Sequence, residues 1–350
     1  MAFDLFHRFK KSSKPDSSLA RKTNHQTRHE ASIDAPKIRV VFMGTPEFAA
    51  AILAGLLAER YNIVGVVTRP DKPKGRKQTI TESPVKTLAQ ERHLAVLQPE
   101  TLDASVIETL KSWKPDIIIV AAYGKILPRT ILDIPGFGCV NVHASLLPKW
   151  RGASPVHNAL LTGESESGVT LMLMNEKMDA GDILAQRPLA IQPDEMRDPL
   201  LLRLTALGRD LLLETLPLWI ERKIVPHPQD HTQATLCQLI EREDGHIFFT
   251  DDALAIYNKY RALSPWPGIF VFWKRENNHL RLKLHRIAWQ DRPAPDGSAI
   301  GQVFQDNGCV GIGTNRGVVF LEEVQLEGSD RMPIDDFLRG NAGFIGSFLQ

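Results

Sequence analysis

From Ile38 onward, short apolar runs alternate with segments of helical periodicity, and this alternation narrows the possible folds more than any other feature of the chain. Ile38 to Met43 reads as a strand, Gly44-Thr45-Pro46 as a turn and Glu47 to Glu59 as a helix. Ile63 to Thr68 is the next strand. Ser83 stands as an N-cap with Pro84 at the first helical position, so Pro84 to Arg92 is read as helical. Asp116 to Val120 is a continuous apolar run, the kind buried on both faces of a parallel sheet. Cys139 to His143 follows the turn Pro135-Gly136-Phe137-Gly138 and reads as a further strand. Ser154-Pro155 opens a helix that Gly163 ends; strands over Gly168 to Met174 and Asp182 to Ile191 follow, then a long helix with a leucine-rich face from Asp198 to Arg222. Repeated βαβ units bury their apolar faces in one way, as a sheet with helices on both sides. The expected fold class is therefore α/β, with a doubly wound, mostly parallel sheet.

Beyond Arg222 the pattern changes. Lys223 to His231 holds two prolines and reads as a linker. A short helix around Asp252 to Ala262 precedes Ser264-Pro265-Trp266-Pro267-Gly268. Five β-like runs then follow (Ile269 to Trp273, Leu280 to Trp289, Ala299 to Gln305, Val310 to Gly313, Val318 to Val324), which predicts a small β-barrel. The expected organisation is a domain over residues 38–222, a linker over 223–241 and a second domain over 242–350. Residues 1–37 lack sustained periodicity and are expected to form a disordered tail. That tail holds eight Lys/Arg and four Asp/Glu, a net of +4 within a chain total of +1, so the remainder carries −3. Its basic, Ser-containing character also resembles an organellar transit peptide, a reading that Asp4, Asp16, Glu30 and Asp34 weaken.

Candidate chemistry concentrates at Asn141-Val142-His143. Residues two apart on a strand share a face, so Asn141 and His143 point the same way at the strand's carboxyl end, where open α/β sheets place ligands. One supplies an amide donor, the other a titratable imidazole. The turn Asp179-Ala180-Gly181-Asp182 lies 31 residues beyond Pro148 and returns a carboxylate. An Asn/His/Asp set suits acyl transfer, whose tetrahedral oxyanion needs a preorganised donor. Taken singly, Asn-x-His is ordinarily a satisfied polar strand end and Asp-Ala-Gly-Asp an ordinary turn, and Asp182 is left in that structural role. Cys139, Cys237 and Cys309 are widely spaced, which suggests neither a metal site nor a disulfide framework and fits a reducing compartment. No G-x-G-x-x-G follows the first strand, so neither NAD nor FAD is expected. No apolar run approaches the ~20 residues of a membrane helix, and no membrane contact is expected.

The string Asn141 to Val156 (NVHASLLPKWRGASPV) resembles the central motif of the folate-dependent formyltransferases, and Met178 to Asp182 resembles that family's second motif. GTPEFA (Gly44 to Ala49), RPDKPKGRK (Arg69 to Lys77), SPVK (Ser83 to Lys86), AAYGKILP (Ala121 to Pro128) and SPWPG (Ser264 to Gly268) extend the resemblance in the family's order from residue 38 to about 350. The resemblance implies a Rossmann-like formyltransferase domain followed by a C-terminal OB-like β-barrel. It implies active-site roles for Asn141, His143 and Asp179, with Asp179 orienting His143. By the same resemblance Ser145, Leu146, Leu147 and Pro148 line the folate site, with Tyr123 to Pro128 contributing. The implied cosubstrate is 10-formyltetrahydrofolate, released as tetrahydrofolate, with no metal. SPWPG points to the branch acting on tRNA, the acceptor being methionine carried by initiator tRNA. A nucleotide-linked amino sugar is the alternative acceptor. The long polar insertion from Arg69 to Glu82 is implied to be a flexible loop reaching the tRNA through Lys74, Arg76 and Lys77. Lys77 there replaces a usual glycine and Glu82 a frequent proline. Lys274, Arg275, Arg281, Lys283 and Arg286 form a second candidate basic surface. A cytoplasmic monomer is expected.

Overall fold

The computed structural model describes residues 37–74, 79–275, 278–295 and 297–350. Residues 1–36 of the expected tail lie outside them. The α/β half runs β1 (Arg39–Gly44), α1 (Glu47–Ala58), β2 (Asn62–Val67), β3 (Lys72–Lys74), β4 (Thr79–Thr81), α2 (Pro84–Glu91), β5 (Val96–Leu97), α3 (Ala104–Ser112) and β6 (Ile117–Ala121). It continues through α4 (Arg129–Leu132), β7 (Cys139–His143), β8 (Arg151–Gly152), α5 (Pro155–Leu161), β9 (Glu166–Leu173), β10 (Ile183–Ala190) and α6 (Arg197–Ile220).

Seven strands form the main sheet in the order β10-β9-β7-β6-β1-β2-β5. The pairs β1–β2, β1–β6, β6–β7 and β2–β5 are parallel, whereas β9 and β10 close one edge antiparallel. Alternation along each strand divides two cores. Val40 and Phe42 of β1, Ile117 and Ile119 of β6 and Val140 and Val142 of β7 pack with the apolar faces of α1 and α6. Val41, Met43, Ile118, Val120 and Cys139 face the other way, toward Val106 and Leu110 of α3 and Ile131 of α4. Strand order reverses between β1 and β6, which opens a crevice at the carboxyl ends of the central strands.

The C-terminal half follows β11 (Leu236–Cys237) and α7 (Ala253–Leu263). Strands β12 (Ile269–Arg275), β13 (Asn278–Gln290), β14 (Val303–Asp306), β15 (Cys309–Gly313) and β16 (Val318–Leu326) make one antiparallel sheet ordered β12-β13-β16-β15-β14. Short β17 (Met332–Pro333) pairs with β16, and α8 (Ile334–Gly340) follows. The chain's last residues lie between the two edge strands: Gln350 exchanges backbone hydrogen bonds with Phe272, Val303 N–H donates to Ser347 and Leu349 N–H to Gly301. The curled sheet is thereby drawn toward a barrel, packed inside by the edge-to-face rings of Trp273, Phe337 and Phe344.

Two segments differ from the sequence reading. The Arg69–Glu82 insertion, expected to be a loop, carries the hairpin β3–β4 with Lys72 opposite Thr81. Lys86 Nζ clamps its base between Asp71 (2.5 Å) and Glu82 (2.9 Å). Helix α3 has only two buried apolar positions, Val106 and Leu110, too few to read as an amphipathic stripe; Asp103 starts it by accepting from the N–H groups of Ser105 and Val106.

Helix α5 also carries a pH-dependent element. Burial lowers the His157 imidazole from 6.5 to about 4, with Arg197 adding to the effect and Asp198 opposing it. The unfolded chain therefore binds more protons than the folded one between those values, and stability falls as pH drops through that window. We expect the wild type to lose more unfolding free energy than His157→Gln between about pH 7 and about pH 5 in urea titrations. Equal losses would contradict the assignment.

Candidate active site

Strand β7 carries the first two candidate residues. Gly138, at φ +74°, turns the chain into it. Parallel pairing with β6 on one side and antiparallel pairing with β9 on the other fix its backbone, with Asn141 opposite Val120 and Met172 and His143 opposite Thr170. Its even residues feed one core, so Asn141 and His143 share the opposite face at the sheet's carboxyl edge, buried to 8% and 6% exposure.

The turn between β9 and β10 delivers Asp179 to the same point. Its carboxylate accepts from Asn141 Nδ2 at 3.3 Å and from the Gly152 N–H at 2.8 Å. The sequence reading has Asp179 orienting His143, but the shortest approach, Nδ1 to Oδ2, is 3.8 Å, beyond a hydrogen bond. The Trp150 carbonyl takes that part, 3.0 Å from His143 Nε2. A carbonyl only accepts, so Nε2 carries a ring proton, and Nδ1 is the ring nitrogen that faces Asp179.

Two backbone groups thus complete the set, and neither has a side-chain signature in the sequence. Trp150 and Asp179 both adopt left-handed backbone, at φ +60° and +48°. Such conformations persist where surrounding contacts over-determine them. Here β8 pairs in parallel with β11, Trp150 N–H donates to Thr235 Oγ1 (2.8 Å) and Arg151 N–H to the Thr235 carbonyl (2.9 Å). The segment read as a linker therefore runs along the α/β half, where His227 also exchanges backbone hydrogen bonds with Ile183. Its prolines, Pro226 and Pro228, exclude helix but leave an extended backbone able to pair.

The loop Ser145 to Pro148 follows directly. Ser145 Oγ donates to the Lys149 carbonyl, and Thr170 Oγ1 donates to the Ser145 carbonyl while accepting from Leu147 N–H. Gln186 Nε2 donates to the Leu147 carbonyl at 2.7 Å. The hydroxyl and carbonyl of Ser145 and both backbone groups of Leu147 are thus engaged within the protein, and these two residues shape the loop. Leu146 and Pro148, half-buried, are the pair that present apolar surface. Thr170 and Gln186, which hold this loop, escape a sequence reading because each is simply a polar residue on a strand.

Among the expected tRNA contacts, Arg76 and Lys77 lie outside the described residues. Lys74 closes β3, and its side chain is likewise outside them. In the C-terminal half, Phe270, Phe272 and Lys274 on β12 stand opposite Lys283, Arg281 and His279 on β13, so one face of the hairpin interleaves rings and cations. The Arg281 guanidinium lies 3.4 Å from the Phe270 ring centroid, and the His246 ring stacks on Phe270 at 5.2 Å. Arg286, by contrast, is neutralised by Glu322 (2.6 Å) and Glu323 (3.3 Å).

Burial pushes the Cys139 thiol up to about 12, with Asp133 adding to it, and raises Cys237 as well. Neither is poised as a thiolate nucleophile. Among the described residues no three His, Cys, Asp or Glu side chains converge as a metal cage.

The family profile described as "Formyl transferase" matches residues 37–216, and that described as "Formyl transferase, C-terminal domain" matches 239–342. A methionyl-tRNA formyltransferase of Geotalea daltonii is 40% identical over 306 residues, covering 87% of this chain and 95% of the relative. One from Lysinibacillus sphaericus is 43% identical over 312 residues, covering 89% and 97%. Among solved structures, the N-formyltransferase from Helicobacter canadensis in complex with folinic acid and dTDP-3-aminofucose aligns with a TM-score of 0.61, covering 81% of this chain and 98% of that one at 19% identity, a likeness of fold.

Proposed function

The chain belongs to the formyl transferase family, and from that premise we propose that it transfers a formyl group from 10-formyltetrahydrofolate to the α-amino group of methionyl initiator tRNA, giving the N-formylmethionyl-tRNA used in translation initiation. The observation that carries this reading is the convergence of Asn141, His143 and Asp179 at the carboxyl edge of β7, in a chain 40% identical over most of its length to a methionyl-tRNA formyltransferase. Residues 38–222 would then conduct the transfer and residues 242–350 hold the tRNA, with 223–241 between them. Lys74, Arg76 and Lys77 and the ring-and-cation face of β12–β13 are the proposed tRNA contacts. Three unpaired cysteines agree with a cytoplasmic site of action, and the protein is proposed to act as a monomer. No helix among the described residues is long and apolar enough to cross a membrane.

When bound, 10-formyltetrahydrofolate supplies the formyl carbon. Leu146 and Pro148 offer an apolar wall of the kind that suits its flat ring system, on a loop held rigid by Thr170 and Gln186. Asn141 has one amide hydrogen on Asp179 and a second available for the oxyanion that forms when the amine attacks. His143, with its Nε2 proton held by Trp150, presents Nδ1 as the acceptor for the amine proton. Asp179 Oδ2, 3.8 Å from Nδ1, stabilises the resulting imidazolium. The same proton is then available to the departing folate nitrogen, which balances the transfer.

The test gives the purified protein 10-formyltetrahydrofolate with either methionyl initiator tRNA or an amino-sugar nucleotide, and measures the formylated product. Formylmethionine recovered after deacylation is the expected result. Formylation of the sugar alone would keep the transfer chemistry and overturn the acceptor, while silence with both would overturn the enzymatic reading.

A further inference from the structure

We propose that Gln229, on the segment between the two halves, is a positioning residue for the transfer and acts through Asp179; the inference rests on the role given to Asp179 above. Gln229 is 6% exposed and uses both ends of its amide. Oε1 accepts from Arg151 Nε at 3.1 Å and Nη2 at 2.7 Å. Nε2 donates to the Asp179 carbonyl at 3.0 Å and the Gly181 carbonyl at 2.7 Å. A primary amide has two hydrogens and two lone pairs, so these four contacts use its capacity and fix which way it faces. Nothing is left over for a substrate, and that makes it a positioning group.

Gln229 connects to Asp179 by two routes, one leading to its carboxylate through Arg151 and Gly152 and one direct to its backbone carbonyl. Arg151 precedes Gly152, whose N–H donates to Asp179 Oδ2 at 2.8 Å. The Asp179 backbone, at φ +48°, is held from the other end of the Gln229 amide. Arg151 is itself 7% exposed, and its Nη2 also meets Nδ1 of His231, from the same segment, at 2.9 Å. The far side of the turn has no room to adjust, since a Cβ on Gly181 would stand 1.7 Å from the Leu173 carbonyl oxygen. Gln229 is suited to the position because it accepts and donates at once. A carboxylate would face two carbonyl oxygens, and an apolar side chain would leave a buried guanidinium and two carbonyls without this partner.

The experiment compares Gln229→Met, which keeps length and loses the hydrogen bonds, with Gln229→Glu, which keeps an acceptor for Arg151 and loses the donor. Each is expected to lower kcat by about 10- to 100-fold, the scale of a misplaced reacting group, with KM for both substrates within about threefold. In an Asp179→Asn background, adding Gln229→Met is expected to lower kcat by less than about threefold further, because the effect passes through Asp179. A folded Gln229→Met protein with near wild-type kcat overturns the inference, and so does an equal loss in both backgrounds. If Gln229→Met does not fold, Gln229→Glu decides on the same kcat and KM criteria. Undiminished turnover in Asp179→Asn alone would overturn the active-site reading together with this inference, whereas an inactive Asp179→Asn beside active Gln229 variants overturns this inference only.

Discussion

Asn141→Ala is expected to lower turnover by about 10²- to 10³-fold while leaving a folded protein, the effect of removing one oxyanion donor. The loss should fall on kcat, with KM for folate and tRNA changed by no more than about threefold, because the interaction matures only as charge develops on the formyl oxygen. Two features of the site bear on the size. Asn141 is 8% exposed, so water does not readily replace its amide. It also shares the Asp179 carboxylate with the Gly152 N–H, so its removal takes one of the two donors from a largely buried charge. The stability cost should stay near ~1 kcal/mol, that of one lost hydrogen bond, because the β7 backbone is paired on both sides. Steady-state kinetics beside urea unfolding separate the two effects. Turnover within about threefold of wild type would remove Asn141 from the mechanism.

Gly152→Ala should damage both fold and function. Gly152 adopts φ +121°, where an L side chain is strained, and an added Cβ would lie 2.2 Å from the Cys237 carbonyl oxygen. The oxygen belongs to backbone and cannot rotate aside, so β8 and β11 must part. That movement would also pull the Gly152 N–H from Asp179. We expect a loss of ~2–3 kcal/mol of stability and, in the fraction that folds, at least about tenfold lower kcat. Gly136→Ala is the matched control, since nothing lies within 4 Å of its added Cβ; it should be near neutral in both respects. Comparable stability and activity in the two variants would show that the β8–β11 junction does not support the site.

The sheet was legible because its strands are continuous apolar runs: every residue of β6 and β7 is buried, and burial on both faces leaves that plain mark in sequence. Asn141 and His143 could be placed side by side from the period of a strand alone. What the sequence concealed is mostly backbone. The Trp150 carbonyl and Gly152 amide act through main-chain atoms whose direction is set by left-handed φ values and by pairing with Cys237, a partner far along the chain. Gln229 was hidden differently, on a proline-bearing stretch where a polar residue looks like any solvated linker residue. The hairpin strands Lys72–Lys74 and Thr79–Thr81 carry little apolar surface, and what fixes the hairpin's base is Lys86, in the next helix. Closure of the C-terminal sheet by Ser347–Gln350 likewise depends on a few irregular residues meeting two strand edges.

The most direct measurement is single-turnover formylation with donor and methionyl-tRNA already bound, comparing wild type with Asp179→Asn and measuring tRNA binding in parallel. Asparagine there cannot carry the charge that stabilises a protonated His143, and its NH2 would confront one of the two donors, Asn141 Nδ2 or the Gly152 N–H. The account predicts unchanged binding and a formyl-transfer step slowed by about 10²-fold or more. An unchanged rate in the bound complex, or a loss that lies wholly in binding, would contradict the claim that Asn141, His143 and Asp179 carry out the transfer.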